Sequence, residues 1–173
     1  MPRFVCLLRG VNVGGKNKIA MVELRALVKS LGCRDVRTFI QSGNVVFSTD
    51  KTVIADDLQD AVEARFGLET VVVLRSAAEL EQVVHDNPFP EAERARIHVG
   101  FMPVWPSPEA AAALDHARFL PEEFIVSGRE LYLYLPAGMA RTRLPGYLDR
   151  MLKTPATLRN WNTVTKLLGL LTD

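Results

Sequence analysis

The chain has 173 residues, enough to bury roughly 70% of its unfolded surface, so its stability requires neither a metal nor a disulfide. Apolar residues make up 48% and charged residues 24%, the balance of a soluble globular protein, and the apolar runs are too short to cross a bilayer. The net charge of +1 hides a segregation: residues 1–37 carry eight Lys/Arg against two acids, residues 141–166 six against one, and residues 38–140 seven against sixteen.

If folding joins the two basic ends, they make a positive patch on a nearly neutral protein; the plainer reading is solvated helix faces pointing apart. Met1-Pro2-Arg3 runs straight into a strand-like segment, which predicts no secretory leader. Cys6 and Cys33 stand alone with no C-x-x-C, which predicts reduced thiols in a cytoplasmic protein.

In chain order, an apolar strand over Phe4–Leu8 leads into the loop Arg9 to Lys18, R-G-V-N-V-G-G-K-N-K. A helix is expected over Ala20–Leu31, with Met21, Leu24, Leu27, Val28 and Leu31 on one stripe and Gly32 as its cap. Ser42-Gly43 reads as a hairpin turn joining strands Val36–Gln41 and Val45–Ser48. A second helix is expected over Ile54–Phe66, with Ile54, Leu58, Val62 and Phe66 at helical spacing. Then follow a strand over Val71–Leu74 and a helix to Asp86 opened by the capping box Ser76-Ala77-Ala78-Glu79. The Pro88/Pro90 pair marks a junction.

Beyond it the series repeats. Phe39-Ile40-Gln41-Ser42-Gly43-Asn44 is matched by Phe124-Ile125-Val126-Ser127-Gly128-Arg129, an offset of 85 residues. The second series predicts a strand over Arg96–Met102, a helix over Ser107–His116, strands over Glu123–Val126 and Leu131–Leu135, a helix over Arg143–Leu152, a strand over Ala156–Leu158 and a helix over Trp161–Leu171. Each half reads β-α-β-β-α-β plus a helix. The expected fold is therefore α+β, two tandem ferredoxin-like halves at 1–88 and 89–173 packed as one compact unit. The first-strand offset of about 93 residues places the main length excess of half one in its glycine-rich loop. An insertion present in one of two similar halves is not required by the fold, and long loops of this kind tend to carry function.

Gly10-x-x-x-x-Gly15-Lys16-Asn17 falls one residue short of a P-loop, because asparagine stands where the Mg²⁺-ligating hydroxyl is needed, and the helix starts too late to point into the loop. Simple anion binding requires only inward N–H groups and nearby cations; the plainer reading is a turn whose lysines sit in water. In the C-terminal run Thr157–Thr163, Asn160 or Asn162 suits a helix cap and Trp161 a packing plug, while the functional reading has Arg159 and the two amides facing the loop's cleft. Arg141-Thr142-Arg143 offers a bidentate anion contact, and Gln41, Ser42 and Asn44 offer polar groups at the first hairpin. Tyr132 and Tyr134 share a strand face, a platform for bases or, more plainly, for packing between halves. The third strand lacks the paired aromatics of an RNA-recognition motif. His85, His98 and His116 are scattered, so no metal site is indicated, and no G-x-S-x-G or Cys–His pair marks a nucleophile.

Three blocks, Arg9-Gly10-Val11-Asn12-Val13-Gly14-Gly15-Lys16, Gln41-Ser42-Gly43-Asn44-Val45-Val46-Phe47 and Arg159-Asn160-Trp161-Asn162-Thr163, are specific together in this order. By them the chain resembles, over essentially its whole length, the bacterial family catalogued as domain of unknown function 1697. The resemblance implies a compact cytoplasmic α+β protein of two subdomains and transfers no catalytic residue.

The expectation is a non-enzymatic binding module for an anionic ligand: a nucleotide, a nucleic-acid backbone or an acidic partner. Its candidate ligand-binding residues are Arg9, Gly10, Asn12, Gly14, Gly15, Lys16, Lys18, Gln41, Ser42, Asn44, Arg143, Arg159, Asn160 and Asn162, with no cofactor, no metal and no membrane partner. The alternatives are a metal-dependent phosphoryl- or nucleotidyl-transfer enzyme and a protein–protein scaffold. Oligomeric state is left open, a monomer being compatible.

Overall fold

The computed structural model describes residues 1–53 and 55–173. It is a mixed α+β fold with two four-stranded antiparallel sheets and, among the described residues, six α-helices. The chain divides into two compact units, one of residues 1–82 with 166–173, the other of residues 83–165.

In the first unit, β1 (Arg3–Leu8), β2 (Arg34–Phe39), β3 (Asn44–Ser48) and β4 (Val72–Ser76) form a sheet in the order β2-β3-β1-β4. Strand β1 is central, pairing Val5 with Val46 on one side and with Arg75 on the other. Both faces of this strand are covered, Cys6 and Leu8 on the side of α1 and α2 and Val5 and Leu7 on the other, which is why Val5 to Leu8 form an uninterrupted apolar run. Those helices, α1 (Met21–Ser30) and α2 (Ala55–Phe66), cover one face. Met21, Leu24 and Val28 from α1 and Leu58 and Val62 from α2 pack there with Cys6, Leu8, Val45 and Phe47. Burial of such side chains supplies roughly 1.5–3 kcal/mol each. Ile54, expected to open the stripe of α2, lies outside the described residues. Both helices end on a glycine at positive φ, Gly32 and Gly67, whose N–H groups close on Lys29 O and Glu63 O. Glu23 in the first turn of α1 and Lys29 in its last complement the helix dipole.

The predicted capping box forms at the start of α3 (Ala77–His85): the Glu79 N–H donates to Ser76 Oγ at 3.1 Å and the Ser76 N–H donates to Glu79 Oε2 at 2.8 Å. The last residues of the chain also belong to this unit. The Arg3 guanidinium donates to Leu171 O at 2.8 Å and to Asp173 O, and Arg37 donates to Leu170 O at 2.6 Å. These cations satisfy carbonyls that the end of a helix leaves without an intrahelical partner.

In the second unit, β5 (Ile97–Phe101), β6 (Glu123–Ser127), β7 (Glu130–Tyr134) and β8 (Thr157–Asn160) form a sheet in the order β6-β7-β5-β8. Helix α5 (Leu144–Leu152) lays Leu144, Tyr147, Leu148 and Leu152 against Phe124, Leu131, Leu133 and Leu135. The helix expected over Ser107–His116 is shorter: α4 spans only Pro108–Ala112. Ser107 caps it as expected, accepting from the Ala110 N–H at 3.1 Å. It stops early because the Asp115 N–H donates to the Tyr147 hydroxyl at 2.9 Å, while the Asp115 carboxylate takes the Ala117 N–H. Those bonds replace the i→i−4 ladder.

The β4–α3 and β8–α6 junctions repeat one another, with α6 covering Trp161–Thr172. Arg75 and Arg159 are both buried, and each Nη1 donates to the carbonyl of the preceding residue, Leu74 or Leu158. The next residue, Ser76 or Asn160, caps the following helix; the Thr163 N–H donates to Asn160 Oδ1 at 2.9 Å. No helix among the described residues is long and apolar enough to cross a membrane.

Candidate anion-binding loop

Three connections of the first unit meet at one end of its sheet. The Leu8 N–H donates to Gly43 O and the Arg9 N–H to Val71 O, both at 2.9 Å, and Thr70 Oγ1 donates to Arg9 O at 2.6 Å. The predicted loop, Arg9 to Lys18, therefore leaves the sheet between the β2–β3 turn and the α2–β4 connection. Gly43 is required in this place: its φ is +82°, and an added Cβ would stand 2.9 Å from Leu8 Cβ.

Asn12 is the clasp of the loop. Its Nδ2 donates to Ile19 O at 2.9 Å and to Gln41 O at 2.7 Å, and its Oδ1 accepts the Ile19 N–H at 2.8 Å. Its φ of +57° lies in the left-handed region, which asparagine tolerates better than most residues. The amide thus holds both ends of the loop and fastens it to the first hairpin. Between the ends, the Asn12 N–H donates to Asn17 O and the Lys16 N–H to Val13 O. Gly14 and Gly15, both at positive φ, form the two central residues of that tight turn. A Cβ built at Gly10, Gly14 or Gly15 would meet no atom within 4 Å. The result is a small projecting hairpin with an open tip.

Val13 is 61% exposed at that tip. Lys16 and Lys18 are exposed and make no ion pair with any described residue. The N–H groups of Gly14 and Gly15 have no acceptor among the described residues. Helix α1 starts only at Met21, so its N-terminus is separate from the glycine turn and no phosphate cradle of the P-loop kind is built. Arg9 is exposed at the base of the loop.

Of the hairpin candidates, Gln41 is exposed and Ser42 half-buried beside the loop. Asn44 is fully buried; its Nδ2 donates to Phe39 O and to Ser42 Oγ, each at 3.0 Å, which shapes the turn from inside. Arg143, Arg159, Asn160 and Asn162 belong to the second unit. Arg159 is buried opposite Val99, Asn160 caps α6, and Asn162 is exposed on the first turn of that helix. Tyr132 is buried and its hydroxyl donates to Val83 O at 2.8 Å, so its ring is no platform for a base. Burial, followed by the carboxylates of Glu130 and Asp86, pushes its phenol far above the ordinary value. Tyr134 lies against Phe89 with ring centroids 6.0 Å apart.

Arg143 lines a cleft of about 540 Å³ in the second unit together with Arg118 and Arg141. Arg118 carries no sequence signal: it sits in an irregular segment after α4, and nothing in its neighbourhood pairs it with Arg141. Among the described residues no group of three or more His, Cys, Asp or Glu is arranged to hold a metal ion.

No curated protein matches the sequence. The fold is similar to that of the conserved bacterial protein SP0830 from Streptococcus pneumoniae, with a TM-score of 0.70 at 24% identity over 98% of both chains. Residues 1–132, which include the loop and the first hairpin, match the family described as Protein of unknown function (DUF1697). The chain belongs to that family.

Proposed function

We propose that the chain is a binding module for an extended polyanion, with the Arg9–Lys18 loop as its recognition element. One observation carries this reading: a hairpin fixed by Asn12 holds Lys16, Lys18 and the open N–H groups of Gly14 and Gly15 clear of the body. A projecting tip suits a nucleic-acid backbone, which it can touch from one side, better than a nucleotide, which calls for an enclosing pocket. The lysines supply sequence-independent attraction and the glycine N–H groups supply directed donors.

We also read the architecture as two tandem ferredoxin-like halves, 1–88 and 89–173. The matching strand orders β2-β3-β1-β4 and β6-β7-β5-β8 support that reading, as do the matched Arg75-Ser76 and Arg159-Asn160 junctions. On this view the loop is an addition to a duplicated scaffold. We read the compartment as the cytoplasm; Cys6 and Cys33, both buried and neither in a disulfide, support it.

The test is fluorescence anisotropy of a labelled short DNA duplex titrated with the protein at several salt concentrations. The slope of log affinity against log salt should be shallower in the K16A/K18A double variant by about 0.9 per lost phosphate contact. Both lysines are exposed, so the variant should melt at the wild-type temperature. Equal affinity and equal slope in the two proteins would refute the loop as recognition element.

A further inference from the structure

The second unit contains an arginine-lined cleft that the loop reading does not use. It lies between the Arg118–Glu122 segment, after α4, and the Pro136–Arg143 segment, which leads from β7 into α5. Its volume of about 540 Å³ falls within the range typical of small-molecule sites, roughly 300–1,000 Å³. Three arginines line it, Arg118, Arg141 and Arg143, against one acidic residue, Glu122. None of the three makes an ion pair or a side-chain hydrogen bond with a described residue. Like charges gathered around one cavity repel each other, and an anion between them removes that repulsion.

One of the three is held in place beforehand. The Arg118 guanidinium carbon lies 5.4 Å from the Phe119 ring centroid and 5.1 Å from that of Tyr147. Those rings lie 4.8 Å apart, and the Tyr147 hydroxyl is fixed by the Asp115 N–H. Helix α5 starts directly after Arg143, so the positive end of its dipole adds to the field there. Thr142 Oγ1 accepts the Leu144 N–H at 3.2 Å, which leaves the hydroxyl proton available as a donor. The remaining walls include Pro121, Pro136 and Leu120, the last 64% exposed.

We propose that this cleft binds a small phosphate monoester. The dianionic phosphate sits among Arg118, Arg141 and Arg143, and a compact apolar or aromatic body rests on Leu120 and Pro121. A phosphate monoester supplies the doubly charged, multiply accepting head that three guanidinium forks match, and a carbon skeleton for the apolar wall. This site is in a different unit from the loop and stands or falls separately.

Isothermal titration calorimetry with phenyl phosphate, inorganic phosphate and phenol tests it. Phenyl phosphate should bind more tightly than inorganic phosphate, and phenol should give no saturable heat. The R141Q/R143Q variant should bind phenyl phosphate at least about tenfold more weakly, because charge-assisted hydrogen bonds are lost. Affinity should also drop at pH 5, where an ester with a second pKa of about 6 is largely monoanionic. The K16A/K18A variant should bind as the wild type does, which separates this site from the loop. An absence of saturable binding of phenyl phosphate at millimolar concentration, or equal affinities of the wild type and R141Q/R143Q, would overturn the proposal. Equal affinities for phosphate and phenyl phosphate would overturn the apolar half of it.

Discussion

Replacing Asn12 with alanine removes three hydrogen bonds in one step, those to Ile19 O, Gln41 O and the Ile19 N–H. At a net value of about 1 kcal/mol each they contribute roughly 3 kcal/mol. Alanine at a φ of +57° adds strain of about 1 kcal/mol relative to asparagine. The expected destabilisation is therefore about 3–4 kcal/mol, or a fall in melting temperature of roughly 6–16 °C for a protein of this size. Urea denaturation of the wild type, N12A, N12G and N12D measures it. The glycine variant loses the same bonds without the strain, so it should fall between wild type and N12A. The aspartate variant keeps the acceptor for the Ile19 N–H but turns a carboxylate oxygen toward two carbonyls, and should be no better than alanine. If N12A unfolds within about 0.5 kcal/mol of the wild type, the range typical of an inconsequential surface change, Asn12 is not the clasp of the loop.

Two further outcomes are expected. Gly43→Ala should destabilise strongly, since its Cβ meets Leu8 Cβ at 2.9 Å at positive φ, whereas Gly14→Ala, with open space around it, should cost only about 1 kcal/mol of backbone strain; similar losses in paired urea melts would refute the packing argument. Burial holds His98 below the ordinary imidazole value, opposed by a backbone hydrogen bond at Arg96, and its Nδ1 has no partner among the described residues. The folded state thus favours the neutral ring: this stability is complete above the unfolded value of about 6.5 and is lost as pH falls through the lower folded value. Melting temperatures taken between pH 7.5 and 5.5 should fall for the wild type and stay flatter for His98→Asn, and parallel curves would refute the assignment.

The elements were legible wherever one periodicity governed a long stretch. The capping box at Ser76 and Glu79 stands where the sequence implies it, as does the α1 stripe from Met21 to Val28, while Leu31, expected on that stripe, falls past the end of the helix and is exposed. The short α4 was not legible, because the alanine-rich run favours helix locally while the hydroxyl that helps end it comes from Tyr147, far along the chain. The loop announced its glycines and cations but not its clasp: asparagine in a glycine-rich run reads as a group offered to a ligand, and only the approach of Ile19 and Gln41 turns the Asn12 amide inward. Asn44 misleads in the same way, its amide drawn under the turn toward Phe39 O. The Arg118 cleft depends on two irregular segments meeting, and irregular segments carry no periodic signal.

The bonds from Arg3 and Arg37 to the carbonyls at the end of α6 bear on the order of events during synthesis. The first unit includes residues 166–173, so its residues 1–82 are translated well before the segment that completes it. At roughly 5–20 residues per second, the stretch from Gln82 to Lys166 takes about 4–17 s to make. Throughout that interval the first unit lacks Leu170 and Leu171, which share a cleft with Val46 and Phe47. Until those last residues are made, Arg3 and Arg37 lack the carbonyls that they bond in the folded protein.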